Sequence, residues 1–196
     1  MMDKQILRKN LLIKRSKVKN RSKKESKIFK KLETLINNNS VIVAGYLSVM
    51  SEVNLSLFLN FLLKKKFSLC LPYIKKPKSS LFFKEFTQKS KLVTGNYNIK
   101  YPDTEILVTP NIILVPLVGF DLFKNRIGYG GGYYDRTIEY LEKKNQVLKL
   151  GIAFDEQEIS KIKKIISSKL HFDEDFTNII FDKAVEASQD NIELYS

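Results

Sequence analysis

Three observations predict an α/β fold: a three-layer sandwich with a mostly parallel central sheet flanked by helices and the N-terminal basic helices packed on it. Short apolar runs alternate with helical patterns from Val41 onward. Ile112 to Val118 is almost continuously apolar, as a strand covered on both faces must be. The length of 196 residues, with 43% hydrophobic and 28% charged residues, fits one domain with an ample core. That domain is expected over 1–196, with a helical segment over 1–38 and a polar tail over 186–196 that frays.

The elements follow in order. Asp3 is placed to cap a first helix in which Ile6, Leu7 and Leu11 share a face. Ser22 and Glu25 have capping-box spacing, and Ile28, Phe29, Leu32, Leu35 and Ile36 then repeat on one stripe of a second helix. Val41 to Tyr46 reads as a strand, Val53 to Lys65 as a helix and Phe67 to Leu71 as the next strand. Leu81 to Phe86 is a further strand, and Thr94 to Thr109 reads as loop with one short strand. The central strand is Ile112 to Val118, despite Pro116. Beyond it, Thr137 to Lys144 reads as helix, Leu148 to Phe154 as strand, Glu156 to Lys164 as a short helix and Phe176 to Phe181 as a last strand.

The formal net charge is +13, and it is unevenly placed. Residues 1–31 carry 13 Lys and Arg against Asp3 and Glu25, which is +11, leaving +2 for the rest. Such a run is usually a solvated helix face. The lone cysteine, Cys70, lies in the apolar run Phe67 to Leu71 and is expected to be buried. No stretch approaches the ~20 apolar residues of a membrane span, so a cytoplasmic protein is expected. One histidine, His171, excludes a His-rich metal site, and no Gly-x-Ser-x-Gly elbow or Cys-x-x-Cys pair is present.

The chemistry concentrates elsewhere. Four of the chain's 8 glycines fall within Gly128 to Gly132, after the central strand and before a helix, with Arg126, Asp135 and Arg136 beside them. Glycines in such a run let backbone N–H groups turn inward on an anion, and the helix adds its positive end. Phosphate is the natural guest; a tight turn needing positive φ is the plainer alternative. The run lacks the Gly-Lys-Ser/Thr of a Walker loop, and Tyr133 stands where the dinucleotide fingerprint has its third glycine. Asp135 would repel phosphate unless Mg²⁺ lies between them, which makes it a metal-ligand candidate; a helix cap is the alternative.

Val115-Pro116-Leu117-Val118-Gly119-Phe120-Asp121 followed by Arg126-Ile127-Gly128-Tyr129-Gly130-Gly131-Gly132-Tyr133-Tyr134-Asp135-Arg136 resembles the signature of the 5-formyltetrahydrofolate cyclo-ligase family, also called methenyltetrahydrofolate synthetases. Further landmarks agree in order: Lys4 with Arg8, Tyr46 to Asn54, Leu71-Pro72, Gly95, Gly151 to Phe154 with Gln157, and Asp173. The chain departs from the family at Lys124, where many members have Gly, and at Tyr101, where an acidic residue is usual. The His-Asp pair is also displaced, as His171-Phe172-Asp173, so that Asp175 competes with Asp173 for the family's late aspartate.

The resemblance implies conversion of 5-formyltetrahydrofolate and MgATP to 5,10-methenyltetrahydrofolate, ADP and phosphate through a phosphorylated formyl oxygen. It implies ATP binding by Lys4, Gln5, Ile6, Leu7 and Arg8, and by Arg126, Ile127, Gly128, Tyr129, Gly130, Gly131, Gly132, Tyr133 and Tyr134. Leu47, Met50, Glu52, Tyr129, Gly130, Gly131, Gly132 and Tyr133 are implied for the folate, Arg126 and Tyr134 for catalysis, and Asp135 and Asp173 for Mg²⁺. Without the resemblance, Glu52 reads as a charge favoured at a helix N-terminus. The implied partners are small molecules, with neither nucleic acid nor membrane, and the implied state is a monomer. Two other readings stand beside this one: a nucleic-acid-binding protein using the basic first 31 residues, and an ATP-binding relative of the same fold with another substrate. The basic end could also draw in a polyanionic folate tail, with Lys14, Arg15 and Lys17 as the charges to neutralise in a test.

Overall fold

The computed structural model describes residues 4–144, 146–160 and 178–180. Two helices open the chain, α1 (Lys4–Ser16) and α2 (Arg21–Leu35). There follow β1 (Ile42–Ala44), α3 (Ser56–Lys64), β2 (Ser68–Tyr73) and β3 (Phe82–Phe86), then the short pair β4 (Leu92–Thr94) and β5 (Lys100–Pro102). The second half holds β6 (Ile112–Pro116), the two-residue strands β7 (Gly119–Phe120) and β8 (Arg126–Ile127), α4 (Tyr133–Glu142), β9 (Leu148–Ile152) and β10 (Asn178–Ile180).

Six strands form one sheet in the order β10-β9-β6-β1-β2-β3, parallel throughout except where β3 pairs antiparallel with β2. The alternation of side chains along each strand makes two cores. Val43, Leu69, Leu71, Ile112 and Leu114 face α2 and α3, meeting Ile28, Leu32, Phe58, Leu59 and Leu62. Ala44, Cys70, Ile113 and Val115 face the other way, towards Ile138 and Leu141 of α4. Helices on both faces give the three layers. A third cluster, Leu7 and Leu11 of α1 with Val118 and Ile127, seats the first helix on the β7–β8 hairpin.

Several local expectations are corrected. Ser22 is not an N-cap: the cap position is Asn20, in the left-handed region with φ 54°, and no side chain caps the helix. Glu25 is drawn instead to the backbone N–H of Asn54, at 3.0 Å. Ile6 and Leu35 are exposed, because α1 and α2 bury narrower stripes than the apolar residues span. α4 begins at Tyr133, four residues before Thr137, since Gly132 makes the turn into it. The 94–109 segment contains strand from both β4 and β5; of the helix expected over Glu156 to Lys164, the described residues begin with a 3₁₀ turn, Asp155–Gln157, after which Glu158 bridges to Phe120, and residues 161–164 lie outside the described ones. The expected cap Asp3, His171 with Asp173 and Asp175, and the tail 186–196 lie outside the described residues.

Candidate active site

The site grows from the end of β6. After Pro116 the chain turns through the β7–β8 hairpin, whose tip is held by the buried Asp121. Its carboxylate accepts the backbone N–H groups of Phe123 and Asn125, both at 3.0 Å, and the Asn125 side-chain amide. Lys124 completes that tip with φ 65°, a conformation natural to glycine. Gly128 to Gly132 then run into α4, with Gly130 at φ 97° and Gly132 at φ 64°. Arg136 backs the run, its Nη2 donating to the Gly131 carbonyl at 2.8 Å and its Nε to the Ser79 carbonyl at 3.2 Å.

Cations converge on this run from α1. Lys4 and Arg8, one turn apart, share a helix face. Arg8 Nε donates to the Gly128 carbonyl at 2.9 Å, and its guanidinium lies over Gly130. Arg126 forms an ion pair with Asp135, in the first turn of α4. Burial, then Arg8 and Arg126, hold the Lys4 ammonium below its ordinary range, while Asp135 opposes them. These groups therefore share one field around the glycine loop.

A second half of the site lies on the turn after β1. Glu52 is buried, its Oε2 accepting the Val49 N–H at 2.9 Å and its Oε1 accepting the Tyr129 hydroxyl at 2.8 Å. Burial lifts its carboxyl above the ordinary range, against the pull of those two donors and of Arg15. Met50 and Ser51, which precede it, both lie in the left-handed region, with φ 46° and 65°. An open cavity of about 400 Å³ is lined by this turn and by Arg21, Ser22 and Glu25 of α2.

One tyrosine joins the halves, and two more stand in the first turn of α4 beside it. Tyr129 reaches Glu52, and Tyr133 meets the Tyr97 hydroxyl at 3.3 Å and stacks under Arg136. Burial and the nearby Glu52 hold the Tyr134 phenol well above its ordinary range, so it stays protonated and can donate. The remaining expected residues are placed differently. Leu7 and Ile127 are core, Gln5 and Ile6 point outward, Leu47 is half buried against the core and Met50 is exposed. Among the described residues no group of three or more His, Cys, Asp and Glu could hold a metal. The half-exposed carboxylate of Asp135, paired with Arg126 beside the glycine loop, has the chemistry of a Mg²⁺ ligand, since that ion commonly takes one or two carboxylates with other oxygens and water.

The chain matches the model of the 5-formyltetrahydrofolate cyclo-ligase family over residues 1–165. It belongs to that family. The 5-formyltetrahydrofolate cyclo-ligase of Mycoplasma genitalium is 33% identical over 166 residues, 80% of this chain and 88% of that protein. The Haemophilus influenzae cyclo-ligase is 27% identical over 126 residues, covering 61% of this chain and 67% of that one. Among solved structures, the 5,10-methenyltetrahydrofolate synthetase of Aquifex aeolicus superposes with a TM-score of 0.77 at 27% identity, over 96% of this chain and 94% of that one. The Mycoplasma pneumoniae 5,10-methenyltetrahydrofolate synthetase gives a TM-score of 0.71 at 25% identity, over 93% of this chain and all 100% of its own. The cyclo-ligase is thus an enzyme of the ligase class with the α/β fold of its relatives.

The cyclo-ligase's departures are accommodated locally. Tyr101 stacks on Tyr73, with ring centroids 4.7 Å apart, and the Lys84 ammonium lies over both rings. Two residues that the motifs do not single out prove central. Arg15 is wholly buried, and Arg21 donates to the carbonyls of Ser51 and Glu52 at 2.9 and 2.8 Å. A signal for Arg15 was present: it continues the Leu7, Leu11 stripe at a spacing of four. Neutralising it as a surface charge together with Lys14 and Lys17 is therefore not a test of electrostatic attraction.

Proposed function

We propose that this cyclo-ligase converts 5-formyltetrahydrofolate to 5,10-methenyltetrahydrofolate, consuming ATP with Mg²⁺ and acting as a cytoplasmic monomer on small molecules alone. The observation that carries the reading is the convergence of Lys4, Arg8 and Arg126 on a glycine loop whose Tyr129 touches the buried Glu52. One half suits a triphosphate and the other suits the amino and ring N–H groups of a pterin, which a carboxylate accepts.

In the reaction the formyl oxygen attacks the γ-phosphorus and the bond to ADP breaks. N10 then attacks the formyl carbon, phosphate leaves with the oxygen, and N10 gives up its proton. Phosphoryl transfer asks the protein mainly for alignment and charge neutralisation. The loop N–H groups, Arg8 and Lys4 bind the phosphates, Arg126 offsets charge on the transferred group, and the protonated Tyr134 donates a hydrogen bond. Asp135, with Asp173 as the expected second ligand, would hold Mg²⁺, which supplies neutralisation of phosphate charge.

The test is an assay of purified protein with 5-formyltetrahydrofolate and ATP, with and without Mg²⁺, following the near-ultraviolet absorbance of the methenyl product. Mg²⁺-dependent product that Asp135→Ala abolishes is the expected result. ATP binding without product would point to another substrate, and neither would return the basic helices to a nucleic-acid role.

A further inference from the structure

We propose that Arg15 is a positioning residue for the folate side of the site: it holds the Tyr129 hydroxyl on Glu52 and ties the turn carrying Glu52 to the glycine loop. The inference rests on the function proposed above.

Arg15 is 0% exposed, yet among the described residues no carboxylate contacts its guanidinium. Four of its five N–H donors are committed. Nη1 donates to the Leu117 carbonyl at 2.9 Å, Nη2 to the Met50 carbonyl and the Tyr129 hydroxyl at 2.5 Å each, and Nε to Ser51 Oγ at 3.4 Å. Keeping a bare cation out of water is costly, and a neutral donor would serve carbonyls as well. What a neutral residue would not do is fix the direction of the next bonds.

Arginine can only donate, so Tyr129 accepts from it and its one proton goes to Glu52 Oε1. Each bond polarises the next, and the carboxylate is held as an acceptor despite its burial. The same cation joins the two halves of the site. Met50 and Ser51, in left-handed conformations, and Tyr129, between Gly128 and Gly130, all bond to its guanidinium, beside the direct bond from Tyr129 to Glu52. Every element around Glu52 contributes a titratable or charged group: Arg15 from α1, Arg21 and Glu25 from α2 across the shared cavity, Tyr46 after β1, Tyr129 from the loop and Tyr134 from α4. Arg15 reaches the carboxylate through a single hydroxyl, that of Tyr129.

The experiment compares wild type, Arg15→Lys, Tyr129→Phe and the double variant by calorimetric binding of 5-formyltetrahydrofolate and, separately, of ATP, at pH 6 and pH 8. Losing a hydrogen bond to a buried charge is worth about 10- to 100-fold. Tyr129→Phe is expected to weaken folate binding about 10-fold at pH 8 and further at pH 6, where the less supported carboxyl is nearer to taking up a proton, with a smaller loss for ATP than for folate. Arg15→Lys should act in the same direction, and the double variant should be no worse than the worse single one. Unchanged folate affinity, an equal loss at both pH values, or losses that add would overturn the inference. Should Arg15→Lys not fold, Tyr129→Phe decides by its pH dependence. Wild type that binds no folate overturns this inference and the proposed function together; wild type that binds without turnover removes only the latter, and the binding comparison still decides Arg15.

Discussion

The guanidinium of Arg8 fills the space that a side chain on residue 130 would need. A Cβ at Gly130 would stand 3.1 Å from Arg8 Cζ, while Arg8 Nε bonds to the Gly128 carbonyl at 2.9 Å. Gly130 also holds φ 97°, which an L side chain adopts only with strain. Gly130→Ala should therefore push Arg8 off the loop and raise KM for ATP about tenfold, with a stability loss of about 1–2 kcal/mol. An ATP titration alongside denaturant unfolding checks both, and an unaltered KM would show that the loop tolerates a methyl group there.

Lys124 carries the opposite lesson. At φ 65° it strains the β7–β8 tip, which Asp121 otherwise holds. Lys124→Gly should stabilise the protein by about 1 kcal/mol, the left-handed cost removed less the entropy that glycine loses. The urea midpoint should rise with turnover unchanged.

Glu52 links stability to pH. Its carboxyl titrates above the ordinary value in the fold because burial opposes its charge. The native state then binds more protons than the unfolded chain between those two pKa values, so this group's contribution falls as pH rises through that window. Glu52→Gln should flatten the wild-type curve there and gain relative stability at neutral pH. It should bind folate poorly, since an amide cannot accept at both oxygens. Parallel stability curves for the two proteins would contradict the assignment.

Cys70 is buried on the α4 face of the sheet, and burial pushes its thiol far above the ordinary range. A thiol-specific reagent should leave the native protein unlabelled for hours and modify it stoichiometrically in denaturant. Rapid labelling of native protein would mean the β1–β2 region opens readily.

The fold was largely legible because its signals are local. The apolar run at Ile112 and the alternation through Val43 and Ala44 specify strands whatever surrounds them, and the glycine loop announces itself by density. The rest is fixed by distant partners. Arg15 looks like Lys14 or Lys17 in a charge count, and only the Leu7, Leu11 stripe distinguishes it. Ser22 has the spacing of a cap, but Glu25 is taken by Asn54 across the molecule. Glu52 was singled out only by family resemblance, since nothing nearby in the chain says that a phenol 77 positions later will reach it.

The first helix has a consequence for biosynthesis. α1 leaves the ribosome long before the atoms that receive it: Arg15 waits for Leu117, 102 residues on, and Arg8 for Gly128, 120 residues on. At about 5–20 residues per second, that is a delay of roughly 5–25 seconds. During it a helix studded with lysine, whose buried apolar edge is Leu7 and Leu11, lacks the Val118 and Ile127 that seat it. Its strong positive charge then serves the nascent chain as well as the finished enzyme, keeping that segment solvated and apart from its neighbours until the hairpin arrives to receive it.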